Sequence, residues 1–66
     1  MLDVYAKRGA IVLSSTLSAD TEVRVFSAAG AIIAKVTVEP GQTVEVPIHN
    51  TGIYIVNNQK FRVRGR

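Results

Sequence analysis

The chain ends in a segment, GIYIVNNQKFRVRGR from Gly52 to Arg66, that predicts a β-hairpin on which the rest of the protein must pack. After the first glycine, two isoleucines alternate with a tyrosine and a valine, so both faces of this stretch are apolar or aromatic. That pattern is typical of a strand covered on both sides. We therefore expect a buried strand formed by Ile53, Tyr54, Ile55 and Val56.

A tight turn and a second strand follow this buried strand. Asn57 and Asn58 are adjacent residues that tolerate positive φ, which a two-residue hairpin turn requires. In the returning strand, Phe61 and Val63 share one face, and basic side chains share the other. The pattern predicts that this strand buries its apolar face and exposes its basic face.

Five further strands are predicted upstream, because apolar residues alternate with polar ones between glycine- or proline-containing turns. Branching at Cβ favours strands, and valine, isoleucine and threonine together make up 21 of the 66 residues. Seven short strands without a helix indicate one all-β domain over residues 1–66, folded as an antiparallel sandwich or barrel. The predicted upstream strands are Leu2–Lys7, Ala10–Ser14, Glu22–Ser27, Ala31–Val38 and Gln42–Ile48.

The same alternation predicts the core and the turns. Gly30, Gly41 and Gly52 are interpreted as turn residues, and Pro47 places the fifth strand at a sheet edge because proline lacks a ladder donor. In the fourth strand, Ile32 is assigned to the same face as Ala34. The residues expected to be mostly buried are Val23, Val25, Val44, Val46, Ile53, Ile55, Phe61 and Val63.

Enzymatic and metal-binding functions are not expected from this composition. Cysteine is absent, and His49 is the only histidine, so no metal-ligand spacing exists. The five carboxylates are scattered, and no serine has a nucleophile-elbow context. We therefore predict no catalytic residues, no cofactor and no metal. No apolar run is long enough to span a membrane, and the N-terminus lacks a signal-peptide pattern.

The formal net charge is +3, and half of the eight basic residues lie in the last seven positions. They share strand parity, so their charges are expected in a row with a spacing of about 6–7 Å. This row is either a solvated edge that discourages strand addition or a docking surface for an acidic receptor or an anionic glycolipid. The residues of this row are Lys60, Arg62, Arg64 and Arg66.

A different class of function, a small basic barrel that binds nucleic acid, is the alternative to a docking module. Single-strand binding requires exposed aromatic rings on a basic face. The chain has only Tyr5, Phe26, Tyr54 and Phe61, and at least two of these are expected in the core. Nucleic acid is therefore the less favoured partner. A structural or adhesion module without a partner of its own is a third interpretation.

About two thirds of the chain resembles the C-terminal sorting domain of the type IX secretion system of Bacteroidota. That family carries a V-x-V-[YF]-x-x-x-G segment, then G-[IV]-Y-[IV]-V, a short turn and a closing strand with basic residues. The first pattern is matched here from Val23 to Gly30, the second from Gly52 to Val56, and the closing strand by Lys60 and Arg62.

The resemblance implies an Ig-like β-sandwich at the C-terminus of a larger exported protein, located outside the cell or on its surface. It also implies that the terminal hairpin is read by secretion or cell-surface machinery. The family's usual N-P pair and L-P-x-G segment do not occur here. A related C-terminal β-sandwich of secreted Bacteroidales proteins, without a sorting role, therefore stays open.

Overall fold

The computed structural model describes residues 1–65, which form seven antiparallel strands. Each predicted strand is present, and no bound differs from the prediction by more than one residue. No helix occurs in this part of the chain, and so none that could cross a membrane. The strands are β1 (Leu2–Lys7), β2 (Ala10–Ser15), β3 (Thr21–Ser27), β4 (Ile32–Val38), β5 (Thr43–Pro47), β6 (Gly52–Val56) and β7 (Gln59–Val63).

Two sheets pack face to face. One has three strands in the order β1-β2-β5, and the other has four in the order β4-β3-β6-β7. The connections from β2 to β3, from β4 to β5 and from β5 to β6 pass from one sheet to the other, as in immunoglobulin-like sandwiches. The predicted Ig-like β-sandwich is confirmed. Strand β5 lies at an edge, as Pro47 predicted.

The core lies between the sheets and is built almost entirely from aliphatic side chains. Strand β2 is the central strand of its sheet and is buried along most of its length. Its outward-facing Val12 is flanked by Tyr5 and Glu45 on the neighbouring strands. The buried cluster comprises Ile11, Leu13, Val23, Val25, Val38, Val46, Ile48, Tyr54, Val56 and Val63.

The turns follow the predicted chemistry in two places. Asn57 and Asn58 both have positive φ, at 51° and 64°, so the β6–β7 connection is a type I′ hairpin turn. At the β4–β5 connection, the Gln42 amide donates to the Glu39 carbonyl at 2.9 Å, and Gly41 has a φ of 76°. This is a type II turn with proline and glycine at its two central positions.

The prediction that β6 is covered on both sides is wrong. Strand β3 pairs with β6 so that Val25 lies opposite Val56 and Ser27 opposite Tyr54, which turns Tyr54 and Val56 inward. Ile53 therefore projects outward and is 36% exposed, and Ile55 is only half-buried on the same outer side. No second layer packs on that side within residues 1–65. Gly52 is likewise not a turn residue, since it begins β6 without positive φ.

A β-bulge changes the face assigned to Ile32. Val25 pairs with Ala34, but the next residue, Phe26, pairs with Ile32, so that Ile33 is the extra residue of β4. An extra residue reverses the alternation beyond it. Ile32 consequently lies on the outer side with Phe26 and is 56% exposed, whereas the sequence predicted it beside Ala34.

Candidate functional site

The outer face of the four-stranded sheet carries the most distinctive surface of the described chain. We call it the outer face, and it is defined by the outward side chains of β4, β3, β6 and β7. These are Ile32, Lys35 and Thr37; Glu22, Arg24 and Phe26; Ile53 and Ile55; and Lys60 and Arg62. It combines an apolar group, which runs from the edge strand β4 across β3 to β6, with charged side chains beside that group.

One row of paired residues runs straight across all four strands of this face. Ile32 pairs with Phe26, Phe26 with Ile55, and Ile55 with Lys60. Neighbouring strands are about 4.8 Å apart, so the three apolar side chains are contiguous and the lysine lies at the end of their row. Ile53, two residues before Ile55, extends the apolar group along β6.

The charges on the outer face are predominantly positive. Glu22 is its one carboxylate, and it accepts hydrogen bonds from Arg24 Nε at 3.2 Å and Nη2 at 3.1 Å. Lys35 Nζ lies 3.7 Å from the same carboxylate. In contrast, Lys60 and Arg62 have no carboxylate within 4.0 Å among residues 1–65. Their charges therefore remain available to an anionic partner.

Only two of the four residues in the predicted basic row lie on β7. Lys60 and Arg62 lie on β7 and point outward, but β7 ends at Val63, so Arg64 follows the strand. The Arg64 carbonyl accepts a hydrogen bond from the Gly9 amide at 2.7 Å, which anchors the chain after β7. Arg66 lies outside the described residues.

Two depressions adjoin the apolar residues of β6 on this face. One is lined by Phe26, Ile55, Arg24 and the Asn57–Asn58 turn, together with residues at the start of β3. The other is lined by Ile53, Arg62 and Arg64 with the start of β6. Each places apolar carbon beside a guanidinium group, an arrangement suited to a partner that has apolar and acidic groups side by side.

The residues of the family-like segment Gly52–Val56 are divided between the core and this surface. Tyr54 and Val56 are buried, and Tyr54 donates a hydrogen bond to the Asn50 carbonyl. A tyrosine that bonds back across the loop before its strand is the tyrosine corner of immunoglobulin-like sandwiches. The segment thus has a structural role on its inner side, and Ile53 and Ile55 contribute to the outer face.

The four aromatic residues do not assemble into a stacking platform. Tyr54 and Phe61 are paired on the inner side of the sheet, and Tyr5 lies on the other sheet. Only Phe26 shares the outer face with the cations, and it is half-buried. Within residues 1–65, no group of three histidine, cysteine or carboxylate side chains is placed to hold a metal. His49 is exposed in the loop before β6.

Comparison with protein-family models, with curated proteins and with solved structures found no match to this chain.

The sequence does not reveal the apolar row of Ile32, Phe26 and Ile55, because two of these side chains face outward only as a result of strand pairing. Ile55 faces outward because of the register between β3 and β6. Ile32 faces outward because of the bulge in β4. One signal of this row is present in the sequence: Phe26 alternates in step with Glu22 and Arg24, so an aromatic residue is expected on the outward side of β3.

Proposed function

We propose that this domain is a non-enzymatic sorting or surface-retention module of an exported protein, and that its β6–β7 hairpin carries the recognised surface. The observation that carries this proposal is that the two sides of the hairpin differ, since one side packs in the core and the other side presents cations to solvent. Tyr54, Val56 and Val63 face the core, whereas Lys60 and Arg62 project from the opposite side without a carboxylate neighbour in the described chain. The surface can therefore change without loss of the fold.

Two further features support this function. The hairpin contains the segment that resembles type IX sorting domains, and its closing strand carries the basic residues of that pattern. Among residues 1–65, the carboxylates that have a basic neighbour form exposed ion pairs on sheet faces, namely Lys7 with Glu45 and Glu22 with Arg24 and Lys35, and this supports a non-enzymatic role. A general acid or base works best in a sheltered cleft.

The test is a reporter protein fused to this domain and expressed in a bacterium that has a type IX secretion system. Lys60→Gln combined with Arg62→Gln removes two charges from the hairpin and preserves side-chain hydrogen bonding. Because both positions are exposed, the free energy of unfolding should change by no more than about 0.5 kcal/mol. We expect the wild-type fusion to reach the cell surface, measured by protease accessibility of the reporter, and the double variant to remain inside.

Lys7→Gln combined with Arg8→Gln is the charge-matched control, since both residues are exposed and lie at the end of β1 and in the β1–β2 turn, which belong to the other sheet. Lys7 loses its exposed ion pair with Glu45, which contributes little to stability. This control should localise like the wild type. If the wild-type domain does not bring the reporter to the surface, the proposed function is wrong. If the Lys60→Gln/Arg62→Gln variant folds and its reporter still reaches the cell surface, these two cations are not part of the recognised surface.

A further inference from the structure

We propose that the outer face binds a protein partner whose contact surface has an apolar centre and an acidic rim. This inference names the class of partner for the proposed sorting or retention function and rests on that function. It adds to the predicted basic row an apolar centre on three strands, formed by Ile32, Phe26, Ile53 and Ile55.

Apolar and charged side chains occupy different parts of the outer face. Stable protein interfaces have an apolar core surrounded by a polar rim. Here Phe26 and Ile55 lie on the two central strands, and the apolar group extends to Ile32 on the edge strand β4. Cations lie at two of its margins, with Lys60 and Arg62 on β7 and Arg24 and Lys35 toward the other end of β3 and β4. Four cations and one carboxylate leave an excess of three positive charges. The complementary surface is therefore acidic at its margin.

The size of the outer face bears on what it can contact. The two longer dimensions of the molecule are 32 and 21 Å, measured between Cα atoms. The outer face is one side of this molecule, with four strands of five to seven residues, and at about 3.3 Å per residue and about 4.8 Å between strands it spans roughly 20 by 20 Å. That is about half of the 800 Å² or so that each partner contributes to a typical specific interface, and it suits a weak or peptide-like contact. The face is therefore large enough to contact one segment of a protein partner.

A second copy of the chain does not suit this face. Two outer faces brought together would oppose eight cations with only two carboxylates, and like charges across an interface are strongly unfavourable. An anionic bilayer is the other surface with matching charge, and the vesicle measurement below distinguishes it from a protein partner.

The test uses the purified 66-residue chain as bait for a random peptide display library, with selection for peptides that bind. Peptides that bind the outer face should be enriched in aspartate and glutamate together with apolar residues. Synthetic copies of the selected peptides should bind Lys60→Gln/Arg62→Gln about tenfold more weakly than the wild type, by calorimetry or fluorescence anisotropy. Raising the salt concentration should weaken wild-type binding as well.

The apolar centre is tested separately with Ile32→Gln combined with Ile53→Gln, since both side chains are at least 36% exposed. This variant should also bind the peptides at least tenfold more weakly. Its matched control is Tyr5→Gln combined with Leu17→Gln, which replaces two exposed apolar side chains away from the outer face and should bind like the wild type. Circular dichroism establishes that each variant is folded.

Selected peptides without an acidic bias, or peptides that bind all folded variants equally, would overturn the proposal. So would a library that yields no binding peptides. Sedimentation with vesicles that contain anionic lipid tests a membrane as the partner. If the wild-type chain binds these vesicles and both outer-face variants lose that binding, the face is assigned to a membrane instead. Because these measurements need no cell, peptide binding without reporter export would reject the proposed function and leave this inference standing.

Discussion

The hydroxyl of Tyr54 donates a hydrogen bond to the carbonyl oxygen of Asn50, four residues upstream, at 2.5 Å. This bond spans the loop through which the chain passes from the three-stranded to the four-stranded sheet. It therefore ties the start of β6 to the loop that delivers it. The ring itself is 8% exposed and belongs to the core.

Tyr54→Phe is expected to lower the free energy of unfolding by about 1 kcal/mol. The substitution removes the donor and leaves the partly buried Asn50 carbonyl without its partner, but it keeps the ring in the core. In a domain of this size, the loss corresponds to a decrease in Tm of about 4–8 °C. The control is Tyr5→Phe, whose ring is exposed on the other sheet, and its effect should be below about 0.5 kcal/mol. Equal effects of the two substitutions would contradict a structural role for the Tyr54 bond.

Gly65→Ala is expected to destabilise the domain by about 1–3 kcal/mol, as other overpacking substitutions do. A Cβ atom at this position would overlap the His49 carbonyl and lie 2.8 Å from the Thr51 amide nitrogen. Both neighbours are backbone, so they cannot rotate away. The segment after β7 would have to move and would lose the bond from the Gly65 amide to Thr51 Oγ1, which is 2.9 Å long.

Gly52→Ala is the matched control for this prediction. Its added Cβ would meet only the Tyr54 ring, at 3.9 Å, which is ordinary contact, and Gly52 has no positive φ. Urea denaturation should show little loss, or a small gain, because alanine reduces the entropy of the unfolded chain. A Gly65→Ala variant as stable as Gly52→Ala would show that the chain after β7 is not packed against this loop.

The β6–β7 turn provides two opposite predictions at one position. Asn58 has a φ of 64°, so Asn58→Val should lower stability by about 1–2 kcal/mol, because a β-branched residue is strained in the left-handed region. Asn58→Gly should leave stability unchanged or raise it, because Asn-Gly is the preferred pair in a type I′ turn. Thermal unfolding of both variants is the measurement. A valine variant that matched the glycine variant would rule out this turn type.

The two faces of β6 should respond differently to truncation. Val56→Ala should lower the free energy of unfolding by about 1.5–3 kcal/mol, since this side chain is fully buried. Ile55→Ala should lower it by only about 1 kcal/mol, since the larger side chain is half-buried on the outer face. Guanidinium denaturation of both variants measures the two losses in the free energy of unfolding and shows which is larger. A larger loss at Ile55 would indicate that a further layer covers the outer face.

The sequence by itself determined the seven strands, the all-β class and two of the turns. Alternation of apolar and polar residues, Asn57-Asn58 and Pro40-Gly41 are local signals, because they follow from the side-chain period of a strand and from the φ values that single residues accept. The edge position of β5 was also local, since Pro47 lacks a ladder donor.

Only the tertiary structure decided which face of β6 is buried and where Ile32 points. Strand β6 is apolar on both sides, so its own residues could not choose between Tyr54 with Val56 and Ile53 with Ile55. The choice was made by the register against β3, which turns Tyr54 and Val56 inward. The bulge in β4 is likewise a property of its pairing with β3. The apolar centre of the outer face exists because four strands bring together residues that are distant in sequence, which no local pattern encodes.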